Sequence, residues 1–256
     1  METENVSYGY RRVRPIEKRK RILAHFDAIA RRYDLADTLL SFGLHALWRR
    51  TALRPLALKN GHRILDLCGG TGAFADRIAK ASSGGMTVVC DLNRAMMLAG
   101  RGSRTWKRGI IQWVQGDAEN LGFSASSFDV VTVGFGVRNL VDLQKGLIEI
   151  RRILKEGGAL VILEFSVPVS PPIRRLYHFY SFKIIPMMAK ALTGEEAPFR
   201  YLAESIRVFP PPEGVSTAME SAGFSAVVFR RLTNGIVTVY YGTKRGSGSA
   251  GRTLNS

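Results

Sequence analysis

Apolar positions recur with two periods along this chain. Ile22, Phe26, Ile29 and Tyr33 fall at steps of four, three and four, the spacing of one helical face. Lys20, Arg31 and Arg32 fall on the opposite side, so a basic amphipathic helix is predicted from Ile16 onward, to lie on a membrane or to pack on the domain with a solvated back. The stretch 34–58 continues in helical style. Leu39, Leu40, Phe42, Leu44, Leu47 and Trp48 supply apolar mass, and Ser41–Gly43 predicts a break.

From Gly61 the pattern changes to short apolar runs. They predict strands over Arg63–Leu67, Met86–Cys90, Ile111–Gln115, Asp129–Gly134 and Ala159–Phe165. Between them lie helical segments over Gly72–Ala81, from Arg94 to Gly100, and from Asp142 to Lys155. The last has Asp142 as its N-cap, Leu143, Leu147, Ile150 and Leu154 as its core face, and Gly157-Gly158 as its stop. Strands alternating with helices imply a parallel sheet covered on both faces. Beyond Phe165 the rhythm is lost. Ser170–Pro172 breaks the chain, Ile173–Leu192 is rich in aromatic, Ile and Met residues, and a helix is predicted around Val215–Ala222. Ala226–Leu232 and Ile236–Gly242 flank Thr233-Asn234-Gly235, and Asn-Gly between two β-rich runs predicts a hairpin. The expected fold is therefore α/β: a doubly wound, mostly parallel sheet closed by an antiparallel C-terminal hairpin, with an N-terminal helical lid. Residues 1–21 are expected as a mobile basic arm and 244–256, rich in Gly and Ser, as a disordered tail. One domain is expected over 22–243, with N-terminal helices (22–58) and a substrate-covering insert (170–209).

Composition adds one abnormal feature, a formal charge of +16. It favours an anionic partner, whether nucleic acid, a membrane surface or an acidic substrate. Cys68 and Cys90 stand at strand ends and read as small buried side chains rather than a disulfide framework. No apolar run reaches the roughly 18 residues that span a bilayer, and the polar, then basic start lacks a signal-peptide centre. The expected location is cytoplasmic.

Candidate chemistry gathers at the strand ends. Gly69, Gly70 and Gly72 break the first strand from its helix, and Asp91 ends the second strand about 20 residues on, the layout of a nucleotide site at the carboxyl edge of a parallel sheet. Gly70–Ala75 also fits G-x-G-x-x-A, so a dinucleotide remains open at this point. Asp117, after the third strand, can accept from an adenine amine. Phe135-Gly136-Val137-Arg138-Asn139 follows the fourth, where Arg138 and Asn139 can meet a substrate. Glu164, within an apolar run, either pairs with an arginine or faces the pocket. His25, His45, His62 and His178 show no metal-ligand spacing, and no metal is expected. The aromatic and Met-rich stretch Tyr177–Met188 reads as core or as a channel for a long apolar substrate.

The sequence resembles the ubiquinone/menaquinone biosynthesis C-methyltransferase family over about Phe26–Lys244. The pieces that carry the resemblance are Tyr33-Asp34, Ser41-Phe42-Gly43-Leu44-His45, Leu65-Asp66-Leu67 with Gly69-Gly70-Thr71-Gly72, Phe135–Asn139, Leu163-Glu164-Phe165-Ser166 and Arg200–Ile206. It implies a Rossmann-like, seven-stranded class I methyltransferase that uses S-adenosylmethionine on a polyprenylated quinol, with 2-demethylmenaquinol as first choice and a ubiquinone precursor as second. It implies a cofactor site of Asp66, Gly69, Gly70, Thr71 and Gly72, with Asp91 and Leu92 at the ribose, Asp117 and Ala118 beside the adenine, and Gly134 offering backbone alone. Arg138, Asn139 and Tyr33 are the candidate catalytic cluster, with Arg138 placed to stabilise a phenolate or orient a water acting as base and Tyr33 and Asn139 to complete the polar group. The sequence departs from the family pattern at Ala73, Asp37, Asp117 and Gly134, where Asp, Asn, Asn and Ser are usual. A membrane-dissolved substrate gives the basic arm and helix a use at an anionic lipid surface. Rival readings are an RNA methyltransferase, disfavoured because neither an attached RNA-binding domain nor an Asn-Pro-Pro-Tyr-type site is present, a natural-product methyltransferase, and a non-catalytic relative. A homodimer is compatible with the sequence, which gives no reading of oligomeric state.

Overall fold

The computed structural model describes residues 4–56, 58–81, 85–103 and 111–245. Its centre is a seven-stranded sheet built from β3 (Arg63–Leu67), β4 (Met86–Asp91), β5 (Ile111–Gln115), β6 (Phe128–Gly134), β7 (Leu154–Phe165), β8 (Phe224–Leu232) and β9 (Val237–Lys244), in the order β5-β4-β3-β6-β7-β9-β8. The first five are parallel, and β9 runs antiparallel to both neighbours. The order reverses at β3, so the carboxyl ends of β3 and its neighbours β4 and β6 border the crevice of a doubly wound sheet. The apolar runs of β3, β6 and β7 are buried on both faces, as a covered parallel sheet requires. On one face α6 (Leu143–Ile153) and α10 (Pro212–Ser221) bury Leu147, Ile150, Val215 and Met219 against Leu65, Val131 and Tyr240. On the other, α4 (Ala73–Ala81) and α3 (Leu44–Leu53) bury Phe74, Ile78, Trp48 and Ala52 against Ile64, Val130 and Val161.

The terminal hairpin forms as predicted. Leu232 pairs with Val237, and Thr233, Asn234 and Gly235 all take positive φ in the tight connection. Strand β7 starts earlier than Ala159, because Leu154 already pairs with Phe128 before a register shift. The tail from 246 and most of the basic loop 101–109 lie outside the described residues.

The amino end corrects the expectation of a mobile arm over residues 1–21. β1 (Val6–Tyr8) and β2 (Arg11–Val13) form a small antiparallel hairpin. It is held because Tyr8 and Val13 are buried with Ile22 and Tyr201, the Tyr8 ring stacking on Tyr201 at 4.6 Å. The arginines between them face solvent, which gave the segment its disordered look in sequence. α1 (Pro15–Ile29) packs on the domain, burying Lys18, Ile22 and Ile29. A 3₁₀ turn leads to α2 (Tyr33–Leu40), and the break at Ser41–Gly43 is a left-handed turn with φ of 52° at Phe42 and 73° at Gly43.

The insert holds α7 (Pro171–Phe179), α8 (Ile185–Thr193) and α9 (Ala197–Val208). Between α7 and α8 runs a π-turn, Tyr180–Ile184, where the N–H of Ile185 reaches the carbonyl of Tyr180. Pro186, lacking a donor, sits just after this widening.

The helices of the lid are tied by a buried ion pair. Arg49 of α3 donates to Asp37 of α2 at 3.0 Å, both side chains being largely buried, with the guanidinium over the Phe135 ring. The acid at position 37, where the family pattern has Asn, is thus matched by a cation. Arg49→Met should destabilise the protein by about 3 kcal/mol, because it strands a buried carboxylate. Combining it with Asp37→Asn should restore most of that loss in urea denaturation.

Candidate active site: two joined cavities at the carboxyl edge

The chain turns sharply where β3 ends. Cys68 takes φ of 53°, Gly70 52° and Gly72 76°, and the amide of Gly72 bonds back to the carbonyl of Gly69 at 2.7 Å. A side chain at Gly69 would strike the Asp66 carbonyl at 2.8 Å, so glycine here is a steric demand. Asp66 fixes the turn from beneath. Its carboxylate accepts from the amide of Ala75 at 3.0 Å and from the Thr132 hydroxyl at 3.1 Å, with almost no exposure. Burial pushes its pKa up to about 7, although those two bonds oppose the rise.

Asp91, at the end of β4, accepts from the amide of Gly70 at 2.8 Å and from that of Asn93 at 2.7 Å. Each oxygen keeps a lone pair for a further donor, such as a ribose hydroxyl. Asp117 receives the amide of Glu119 at 3.0 Å and is ion-paired with Arg19 of α1. Asp66, Gly69, Gly70, Thr71, Asp91, Leu92, Asp117, Ala118 and Gly134 all line one cavity, together with Tyr33 and Asn139. Gly72 does not reach its wall; it turns the chain into α4.

Cys68 also lines this cavity and so is not the plain core residue expected, whereas Cys90 is fully buried; both are free. Ala73 opens α4 on the cavity wall. An acid reaches the same turn from the lid instead: Asp34 of α2 accepts from the Thr71 hydroxyl at 2.6 Å. At Gly134 a β-carbon would lie 2.7 Å from the Phe74 ring, so the ring occupies the space a larger residue would use.

The second cavity adjoins the first and is apolar. The two span about 1020 and 1410 Å³, open mouths included. Phe26 and Tyr33 line both, so they form the partition. Phe165, Leu40, Ile173, Leu176, Tyr180, Ile185 and Phe199 supply much of the apolar wall. Arg138 belongs to this wall, and its side chain is buried. It donates to Glu164 at 2.7 Å and to the carbonyl of Phe135 at 2.5 Å, while its Nε has no partner among the described residues. Burial opposes the guanidinium charge, but Glu164, Tyr33 and Tyr201 hold its pKa above the ordinary value. Glu164, left open in the sequence between an arginine and the pocket, pairs with the arginine. Asn139 accepts from the Tyr201 hydroxyl at 3.2 Å. Burial, aided by nearby Asp37, raises the Tyr33 pKa and keeps its hydroxyl neutral.

Sequence reasoning missed the residues that α1 brings over the first cavity. Arg19 meets Asp117, and the side chain of Asn93 donates to Asp27 at 2.7 Å and to the Leu23 carbonyl at 3.2 Å. It also missed His25, in the wall of the second cavity and bonded through Nε2 to the Tyr8 hydroxyl. Burial, with Arg21 nearby, lowers the pKa of this histidine. The only signal available was the Tyr33-Asp34 pair; nothing singled out one arginine within a basic run.

Asp66 generates a pH prediction. Unfolded, it ionises near the ordinary carboxylate value of 3.8; folded, it holds its proton to about 7. Between these values the folded state binds more protons, so this residue's contribution falls as pH rises and is lowest above about pH 7. Asp66→Asn, whose amide can donate to Thr132 and accept from Ala75, should flatten the decline of Tm between pH 5 and 8. An unchanged Tm profile would remove Asp66 as its source.

The likeness to known proteins agrees with this geometry. Residues 15–244 match the model of the ubiE/COQ5 methyltransferase family. The chain is 38% identical over 245 residues to the ubiquinone/menaquinone biosynthesis C-methyltransferase UbiE of Idiomarina loihiensis, covering 94% of this chain and 97% of the relative. It is 39% identical over 244 residues to the UbiE of Haemophilus ducreyi, covering 94% of each. Among solved structures, a SAM-dependent methyltransferase from Thermotoga maritima aligns with a TM-score of 0.63 at 18% identity, covering 88% of this chain and 100% of that one. The glycine turn, the acid ending β4 and the acid after β5 suit an adenosine-bearing cofactor, and that cofactor is S-adenosylmethionine. A doubly wound sheet whose crevice is roofed by Tyr33-Asp34 and joined to an apolar cavity is the form this sequence takes as a member of the ubiE/COQ5 methyltransferase family.

Proposed function

We propose that the protein transfers a methyl group from S-adenosylmethionine to a ring carbon of a polyprenylated quinol, with 2-demethylmenaquinol the first choice of substrate and a ubiquinone precursor the second. The observation that carries this reading is the partition. Tyr33 and Phe26 separate a cavity bordered by Asp66, Asp91 and Asp117 from a larger, more apolar one, and Arg138 stands in the apolar wall. The names of the relatives at 38–39% identity, which place them in ubiquinone and menaquinone biosynthesis, support it.

The roles follow from the chemistry. In the first cavity the cofactor supplies an electrophilic methyl on a sulfonium. Asp91 accepts from its ribose, Asp117 and Ala118 border its adenine, and Thr71, Gly69, Gly70 and Gly134 bring backbone and hydroxyl groups close. Asp66 holds the turn that carries them, and Leu92 closes the side of the cavity. The apolar cavity takes the quinol ring and the first part of its tail. The phenol must give its proton to a water, which also takes the ring proton after attack, so that electron density reaches the ring carbon. Arg138, in the wall of the apolar cavity and with its charge secured by Glu164, stabilises the phenolate oxygen. Tyr33 and Asn139 orient the ring across the partition, so that the carbon lines up with the S–CH3 axis. After attack the ring proton leaves and aromaticity returns. The enzyme works in the cytoplasm against the membrane that holds its substrate.

Arg138→Ala, combined with Glu164→Gln so that no buried carboxylate is stranded, should leave S-adenosylmethionine binding, measured by calorimetry, within about threefold of the parent while lowering kcat by about a hundredfold or more. Full turnover would remove Arg138 from the mechanism. Extraction of lipid quinones from a strain lacking the gene should reveal a demethylated menaquinone. A demethylated ubiquinone precursor instead would move the assignment to the second substrate, and a normal quinone pool would overturn the quinol reading.

A further inference from the structure

The cations expected to hold a membrane are those of the amino-terminal segment, and several of them are already engaged inside the molecule. Lys18 is buried and donates to the carbonyl of Leu140, Arg19 pairs with Asp117, and Arg21 pairs with Glu17 at 2.6 Å. Arg12 reaches the carbonyl of Asn5. A different surface has the character of an interfacial site.

Helix α7 buries none of its residues, although it carries Ile173, Leu176, Tyr177 and Phe179. Leu176 is 68% exposed, Phe179 56% and, on α8, Met187 63%. Leu176, Phe179, Lys183 and Met187 follow one another at steps of three, four and four, a helical stripe with a lysine in its middle. The turn after α2 adds Phe42, 74% exposed, whose ring stacks on Tyr180 of the π-turn at 5.8 Å. So large an unpartnered apolar surface on a helix end-to-end with a cavity is not ordinary solvent-facing structure. The same stretch is one-sided in charge. Residues 171–193 contain Arg174, Arg175, Lys183 and Lys190 and no acid. Phe42, Leu176 and Tyr180 also line the apolar cavity, so the patch surrounds its mouth.

We infer that α7, the π-turn, α8 and the Phe42 turn form the surface by which the protein docks on an anionic bilayer. Phe42, Leu176, Phe179 and Met187 enter the boundary between headgroups and acyl chains, and Arg175, Lys183 and Lys190 meet lipid phosphates, Arg174 being bonded to the carbonyls of Pro168 and Val169. The inference rests on the quinol reading for its purpose: a cavity mouth at the acyl boundary lets the ring enter while the prenyl tail stays in lipid. The amino-terminal hairpin and α1 then serve the cofactor cavity rather than the membrane.

The test is co-sedimentation with vesicles, which needs no substrate. The parent protein should bind phosphatidylglycerol-containing vesicles, less so at high salt, and bind pure phosphatidylcholine vesicles weakly. Phe179→Asp with Met187→Asp, both at exposed positions outside the cavity walls, should lower the partition coefficient by about tenfold or more with an unchanged melting temperature. Arg11→Ala, Arg12→Ala and Arg14→Ala combined should leave it within about twofold. Failure of the parent to bind anionic vesicles, retention of binding by the α7–α8 variant, or loss confined to the arm variant would each overturn the assignment. So would a fall in oligomer size by gel filtration in the α7–α8 variant with vesicle binding intact, since the patch would then cover a second copy of the chain. Turnover of a short-tailed, water-soluble quinol should be the same in parent and variant. If neither turns it over, the quinol reading fails while the vesicle result still decides the docking surface.

Discussion

A carboxylate with no exposed surface sits at the centre of this molecule's chemistry, and much of the site follows from the need to neutralise it. Glu164 lies near the end of β7 and accepts from its own neighbour's amide, from the amide of Arg138 and from the Arg138 guanidinium. A charge so placed is tolerable only with a close cation and with its lone pairs occupied. β6 and β7 are parallel neighbours in register, Gly134 opposite Leu163, so the turn after β6 falls where the acid needs its partner. Arg138 is thereby fixed in a dry wall. Asn139, next in the turn, is bonded to Tyr201 of α9, which stacks on Tyr8 of the amino-terminal hairpin. One neutralised acid therefore links the sheet edge, the insert and the first residues of the chain.

The cofactor cavity is organised by a second set of charges, of a different kind. Arg19 lies over Asp117 and within 3.9 Å of Glu119; Arg19 and Asp117 are partly exposed, whereas Glu119 is buried. Exposed pairs are weak and salt-sensitive. At Asp117 the first cavity is thus roofed by a partly exposed pair, whereas the pairs of Arg138 with Glu164 and Arg49 with Asp37 are buried. That difference suits a cavity that must exchange a used cofactor beside one that must keep water out.

The sheet was legible because parallel strands write themselves as apolar runs ending in glycine or acid, and because Asn234-Gly235 announces the closing hairpin. The strand-end residues of the site were legible for the same reason: sheet order brings Asp66, Asp91, Asp117 and Arg138 to one edge whatever the surrounding helices do. The residues supplied by helices were not. Asp34 on Thr71, Arg19 on Asp117 and His25 beside Tyr8 depend on how the lid docks, which no local period encodes. The hairpin at Val6–Val13 escaped notice because strands of three residues show too little alternation, and its anchor, Tyr201, lies at the far end of the chain. Pro186 is a helix breaker that the sequence reading passed over, and whether a helix kinks, stops or widens into a π-turn is decided by the packing around it.

The meeting of Phe74 with Gly134 has a consequence for how such a site can change over generations. The ring fills the space that a serine would need at position 134. A lineage holding Phe74 cannot acquire that serine in one step without a clash inside the cofactor wall, and a lineage holding the serine cannot enlarge residue 74 first. The order of replacement is constrained by volume, because two residues far apart in sequence share one space in the cofactor wall. The local departure from the family pattern is then a paired state, stable against drift at either position taken separately.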